Sequence, residues 1–131
     1  MTGIDTNVLV RYLAQDDPAQ AKLATGLIES FTAKTPGFIS QVVLVETIWV
    51  LQSCYAASTQ RVAEVVGMLL QVESLAIESA ETVWRALRQY RPAGGDFADV
   101  LIAVLAGKAG CKAIYSFDRD AVKRFGMTLL K

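Results

Sequence analysis

The apolar positions change spacing repeatedly along the chain, and the changes mark short strands alternating with helices. An apolar lead-in at Thr2–Ile4 predicts a first strand, and Asp5-Thr6-Asn7 opens a helix through Leu13. Asp17 before Pro18 is an N-cap and first-turn signature, and the helix it starts sets Leu23, Ala24, Leu27, Ile28 and Phe31 on one face. Pro36-Gly37 breaks the chain ahead of a second strand at Phe38-Ile39, after which Ser40 caps a helix from Gln41 to about Cys54. Ser58 starts another, with Val62, Val65, Val66, Leu69 and Leu70 as its apolar stripe. Leu75–Ile77 reads as a third strand, and Ser79 begins a helix with Ala80, Val83, Trp84 and Leu87 inward. The stretch Arg91–Gly95 reads as a loop leading to Asp96, which caps a helix to about Ala109 that Gly110 ends. Ala113–Phe117 is a fourth strand, Asp118–Arg124 a short helix and Met127–Leu130 a fifth strand. This alternation predicts an α/β fold with a parallel sheet covered on both faces. No repeat, linker or low-complexity segment divides it, so one domain over residues 1–131 is expected.

In open sheets of this kind, ligands bind beyond the carboxyl ends of the strands. Asp5 follows the first strand and Asp118 follows the fourth, so both are expected at that edge. Composition then narrows the chemistry. The chain contains no histidine, which excludes Ser-His-Asp and Cys-His nucleophile systems, histidine acid–base pairs and His-rich zinc sites. Carboxylates and a hard cation are the tools that remain. Net charge is zero, so no strongly basic surface draws nucleic acid nonspecifically, although a cation held by carboxylates also attracts phosphate. Cys54 and Cys111 lie far apart and form no metal-type pair, which fits reduced thiols in a cytoplasmic protein. The opening MTGIDTNVLV has no basic n-region or small-residue cleavage site, so no signal peptide is expected. No apolar run approaches membrane-spanning length. A hydrophobic share of 53% is high for so small a domain; either the core is dense or part of that surface is buried against another chain.

Glu46 is the most informative acid. It sits among Val42, Val43, Leu44, Val45, Thr47, Ile48, Trp49, Val50 and Leu51, and a helix apolar all round is expected to be largely buried. Burying an ionised carboxylate costs several kcal/mol or more unless a partner or a metal compensates, on the order of transfer data. The plain alternative is a glutamate on a narrow exposed stripe, or one paired with a buried arginine. Asp99 precedes Val100–Ala106 and repeats the pattern, but Asp96 at the N-cap with Asp99 three residues on also resembles a capping arrangement favoured by the helix dipole. Asp96 is given a supporting role. Asp5 and Asp118 could each be a simple cap, Asp16 and Asp17 serve a helix start, and Asp120 sits in a mixed-charge helix facing solvent. Convergence lifts the set: two acids at strand ends and two in apolar helices, whose like charges would repel without a cation. Oxygen-only ligands select Mg²⁺ or Mn²⁺. The basic residues, Arg11 among them, are scattered; Arg119, Lys123 and Arg124 lie just beyond Asp118, on a path open to phosphate, but read first as a solvated helix face, and Trp49 and Trp84 read as core or interface residues ahead of base-stacking platforms.

Four segments, in order, carry a resemblance: GIDTNVLVRYL at Gly3–Leu13, SQVVLVETIWVL at Ser40–Leu51, DFADVLIA at Asp96–Ala103 and YSFDRDA at Tyr115–Ala121. Across essentially its whole length the chain resembles PIN-domain ribonucleases, specifically the VapC-type toxins of toxin–antitoxin pairs. The resemblance implies a three-layer α/β/α sandwich around a central parallel sheet of about four to five short strands. It sets the family's four acids on Asp5, Glu46, Asp99 and Asp118, an additional acid on Asp96 and a small hydroxyl residue on Ser116, with Thr6 and Asn7 in support. It implies Mg²⁺- or Mn²⁺-dependent endonucleolysis of RNA, with Asp5 and Asp99 as direct ligands and Glu46 and Asp118 completing the shell or holding its waters. It also implies inhibition by a small VapB-type antitoxin and assembly as a homodimer. The alternatives are a catalytically inactive PIN-like binding module and a small Asp-dependent phosphotransfer or phosphatase domain. The second is disfavoured because Asp5-Thr6-Asn7 stands where Asp-x-Asp would be needed.

Overall fold

The computed structural model describes residues 1–131. Strands and helices alternate as β1 (Thr2–Gly3), α1 (Thr6–Ala14), α2 (Pro18–Glu29), β2 (Gly37–Ile39), α3 (Gln41–Cys54), α4 (Thr59–Gln71), β3 (Leu75–Ile77), α5 (Ala80–Ala93), α6 (Phe97–Lys108), β4 (Tyr115–Ser116), α7 (Arg119–Phe125) and β5 (Thr128–Leu129). β1, β2 and β3 pair in parallel in that order, Thr2 opposite Gly37 and Gly37 opposite Leu75. β4 and β5 form a separate parallel pair with Tyr115 opposite Thr128. All strands are parallel, but one continuous central sheet is replaced by a sheet of three strands and a sheet of two. The strands are too short for a continuous ladder: β4 makes its backbone bonds to the β5 segment, where Thr128 N–H donates to Ile114 at 2.7 Å and Leu130 N–H to Ser116 at 2.9 Å.

Local chemistry sets the helix starts. The side chains of Asp5, Asp17, Ser40, Ser58, Asp96 and Asp118 each accept a backbone N–H at the head of the helix that follows. Ser79 also precedes a helix, but with φ of 52° its side chain makes no capping bond. α5 runs on through Pro92 to Ala93, so the expected loop at Arg91–Gly95 shortens to Gly94-Gly95. Glycine, not proline, stops this helix: Gly94 N–H donates to Tyr90 at 2.8 Å, and Gly94 and Gly95 take φ of 66° and 84°.

The core is built by α4, α5 and α6 around Val62, Val66, Leu69, Val83, Leu87, Tyr90, Phe97 and Val100, all buried. Tyr90 and Phe97 meet edge-to-face with ring centroids 5.3 Å apart. Phe97 is the first residue of α6, so its burial fixes the helix end from which Asp96 and Asp99 project. α3 packs against both α1 and α6 and joins the two ends of the site.

Burial differs from expectation in three helices. In α2 the buried residues are Ala21, Ala24 and Ile28, while Leu23 is 75% exposed and Leu27 also lies at the surface. The small alanines face inward, and the leucines wall an open groove with α1. α3 buries Leu44, Thr47, Ile48 and Leu51 but exposes Val42, Glu46 and Trp49. α6 buries Phe97, Val100, Leu101 and Val104 but exposes Ile102 and Leu105. Neither α3 nor α6 is covered all round by this chain, and the outer face of Glu46 is therefore open to solvent.

Candidate active site

The candidate acids fall into two sets. Asp5 lies one residue after Ile4 at the end of β1, and its Oδ1 accepts the Thr6 N–H at 2.7 Å, capping α1. The Thr6 hydroxyl in turn donates to Glu46 Oε1 at 2.8 Å, tying α1 to the middle of α3. Asp5, Thr6, Asn7, Val10, Arg11, Glu46 and Val50 line one open cavity of about 330 Å³. Glu46 reaches this cavity from an exposed helix face, so its place in the site rests on Thr6 and not on burial.

The second set gathers where α6 meets α7. Asp96 Oδ1 caps α6 through Ala98 N–H at 2.9 Å. Asp118 Oδ1 caps α7 through Asp120 N–H at 2.9 Å and Ala121 N–H at 3.3 Å, and Ser116 Oγ accepts the Asp118 N–H at 2.9 Å. Arg124 ties α7 to the end of α5: its Nε donates to Asp120 at 2.8 Å, and its Nη1 donates to the Ala93 carbonyl. Gly95 is required beside this clamp, since a Cβ there would stand 2.7 Å from Arg124 Cδ. Asp99 is half-buried between these acids. Partial burial raises its carboxyl above the ordinary range, and the charges of Asp96, Asp118 and Asp120 raise it further.

None of Asp5, Glu46, Asp96, Asp99 or Asp118 has a lysine or arginine within ion-pair distance. Of the charges that act on Asp99, Arg124 balances that of Asp120, and those of Asp96 and Asp118 have no ion-pair partner. No three acids stand close enough to grip one ion by themselves. Mg²⁺ and Mn²⁺ do not demand it, because Mg²⁺ is commonly held by one or two carboxylates with waters filling the octahedron. An all-oxygen donor set with unbalanced charge fits such a cation and not a soft one.

Residues 4–126 match the model of the PIN domain. The chain belongs to the PIN-domain family. The match takes in Asp5, Glu46, Asp99 and Asp118 together with the elements that carry them. A VapC ribonuclease from Aquifex aeolicus (strain VF5) is similar to this PIN domain, 27% identical over 119 residues that span 91% of this chain and 88% of the relative.

Three participants escaped the sequence reading of this PIN domain. Arg11 lines the cavity with Asp5 and Glu46, where its spacing of four from Asn7 on α1 is the signal that could have found it. Arg124, though exposed, also clamps Asp120 to the end of α5. Asp16 does not serve the start of α2, which Asp17 alone caps; it pairs with Arg11 at 3.2 Å and accepts the Tyr55 hydroxyl bond. That hydroxyl bond, with Arg11 beside it, holds the Asp16 carboxyl below the ordinary range.

Proposed function

We propose that this PIN domain is a metal-dependent endoribonuclease, the toxin of a VapBC-type pair, with Asp5, Glu46, Asp99 and Asp118 as its catalytic acids. The observation that carries the reading is the set of carboxylates without ion-pair partners around a half-buried Asp99. The similarity to a VapC ribonuclease supports the substrate class. Asp5 and Asp99 are the direct ligands for Mg²⁺ or Mn²⁺, and Glu46 and Asp118 complete the shell or hold its waters. Such a cation, when bound, makes water a competent nucleophile near neutral pH and offsets the charge that grows on phosphoryl oxygens. The chain's own residues fix the donors: Thr6 holds Glu46, Asp96 holds the head of α6, Ser116 holds the turn that presents Asp118, and Asn7 lines the cavity beside Asp5.

Purified protein incubated with RNA and Mn²⁺ should cut it internally, and a chelator should stop the reaction. Full cleavage after exhaustive chelation would sink the metal mechanism. Turnover of a small phosphate ester with RNA left intact would favour the phosphotransfer alternative, and no turnover of either would favour an inactive binding module.

The toxin and partner reading draws on apolar surface that this chain leaves uncovered. Val42, Val45, Ile102 and Leu105 line an open groove between α3 and α6, and Trp49, 61% exposed, continues the same α3 face. Leu23 and Leu27 line a second groove with Val8. A homodimer and a small VapB-type antitoxin are the proposed occupants of such surfaces. The free, exposed Cys54 and Cys111 suit a cytoplasmic location, and no helix is long and apolar enough to cross a membrane. Expression of the chain should slow growth, and Asp99→Asn should relieve the effect; unimpeded growth at high soluble expression would count against the toxin role.

A further inference from the structure

We propose that Arg11 is the phosphate-positioning residue of this site: its guanidinium receives a backbone phosphate of the RNA strand beside the acids. The inference rests on the ribonuclease reading and adds to it a residue outside the four acids.

Arg11 is the only cation lining the cavity that holds Asp5, Thr6, Asn7 and Glu46. It also lines the adjoining α1–α2 groove, with Asn7, Gln20 and Leu27. It therefore stands on the border between the acids and the open surface along which a strand would leave them. Its guanidinium is oriented in advance. Nε donates to Gln20 Oε1 at 2.7 Å, and Nη1 donates to Asp16 Oδ1 at 3.2 Å. The other oxygen of Asp16 is held by Tyr55 at the end of α3, so residues from α1, α2 and α3 fix the plane of the fork.

A clip for stability alone accounts poorly for this arrangement. The Arg11 and Asp16 side chains are 34% and 43% exposed, and ion pairs at such exposure add little to stability. Arginine is suited to phosphate because it stays charged and presents several donors in a rigid fork. With zero net charge the chain has no general basic field to hold RNA, so a single oriented cation beside the acids carries more of that task.

The test uses the whole chain and a fluorescent single-stranded RNA, with Ca²⁺ replacing Mn²⁺ to suppress cleavage. Binding is followed by anisotropy over a series of KCl concentrations. Arg11→Gln should weaken binding about tenfold, the loss of one charged hydrogen-bonded contact. It should also reduce the slope of log affinity against log salt by about 0.7, the value of one phosphate contact on a single strand. With Mn²⁺ present its loss in cleavage should fall mainly on KM. Asp16→Asn removes the clip but keeps the cation, and should retain the wild-type salt slope. On the wild-type protein, RNA should protect Arg11 from phenylglyoxal, read by mass spectrometry, which needs no variant to fold. An unchanged salt slope in Arg11→Gln, the same slope loss in Asp16→Asn, or an Arg11 left unprotected by bound RNA would each overturn the assignment while leaving the ribonuclease reading standing. A wild-type chain that does not bind RNA would overturn both.

Discussion

Asp99→Asn is expected to lower the rate of RNA cleavage by about a hundredfold or more, because a charged ligand in such a site contributes several kcal/mol to the barrier. Asp5→Asn should fall as far. Both acids lack an ion-pair partner, so each change removes charge that the proposed cation would take up and breaks no salt bridge. Asp96→Asn is the informative control. Its Oδ1 caps Ala98 N–H, and asparagine caps a helix nearly as well as aspartate. It should cost far less activity than Asp99→Asn, with α6 unmoved because Phe97 stays buried beneath it. Steady-state cleavage of a labelled RNA at saturating Mn²⁺, with circular dichroism to confirm folding, checks the ranking. Equal losses at Asp96 and Asp99 would show that both are ligands and that the cap is incidental.

The strongly patterned elements were legible from the chain, and α3 shows why. Ser40 supplies an unambiguous cap and the apolar run that follows is long, so the expected Gln41–Cys54 coincides with the observed helix. Weak local signals gave weak boundaries. Ala113–Phe117 shortened to Tyr115–Ser116 because strand pairing depends on what a neighbour offers, which the segment itself does not encode.

Burial was the least legible property. Glu46 was singled out because its helix is apolar all round, yet Val42, Glu46 and Trp49 face outward. Hydrophobicity reports that a surface is to be covered, not which chain covers it. The same confusion turned Leu23 and Leu27 of α2 inward, where Ala21 and Ala24 lie instead. Glu46 still reaches the cavity, through a bond to Thr6 spanning forty positions in the sequence. Arg11 was invisible for a related reason. Its orientation depends on Gln20, Asp16 and Tyr55 at once, and no local pattern joins those residues.

The metal-free protein is expected to gain stability as pH falls from neutral toward mildly acidic values, and Asp99→Asn should raise its melting temperature. The sign follows from Asp99, whose folded carboxyl titrates above its unfolded value because of partial burial and the charges of Asp96, Asp118 and Asp120. Below the unfolded value, near about 3.9, the group is neutral in both states and carries no penalty. As pH rises the unfolded chain ionises first, so the penalty grows until the folded pKa is passed and is complete above it. Lowering pH through that window restores the lost stability. Arg124 softens the field by pairing with Asp120, but it has no ion pair with Asp96, Asp99 or Asp118. Asp16 works in the opposite direction: its carboxyl is lowered, so its contribution is lost only as pH falls below the ordinary carboxylate range, after the Asp99 gain is complete. Asp99→Asn removes the repulsion wherever Asp99 would be ionised and forfeits the interaction of a first-turn acid with the helix dipole, about 0.3–1 kcal/mol at an exposed terminus. The expected rise in melting temperature requires burial and the charges of Asp96, Asp118 and Asp120 to exceed that loss. Mn²⁺, by binding only the folded state, should then stabilise the wild type by about 2.7 kcal/mol at a hundredfold excess over its dissociation constant and so raise its melting temperature, and should do much less for the mutant. Thermal melts of both proteins across pH, with chelator and with Mn²⁺ at matched ionic strength, separate a metal-holding cluster from a set of unrelated helix caps. A mutant less stable than the wild type, with no response of either protein to Mn²⁺, would leave Asp99 as a helix-end acid and nothing more.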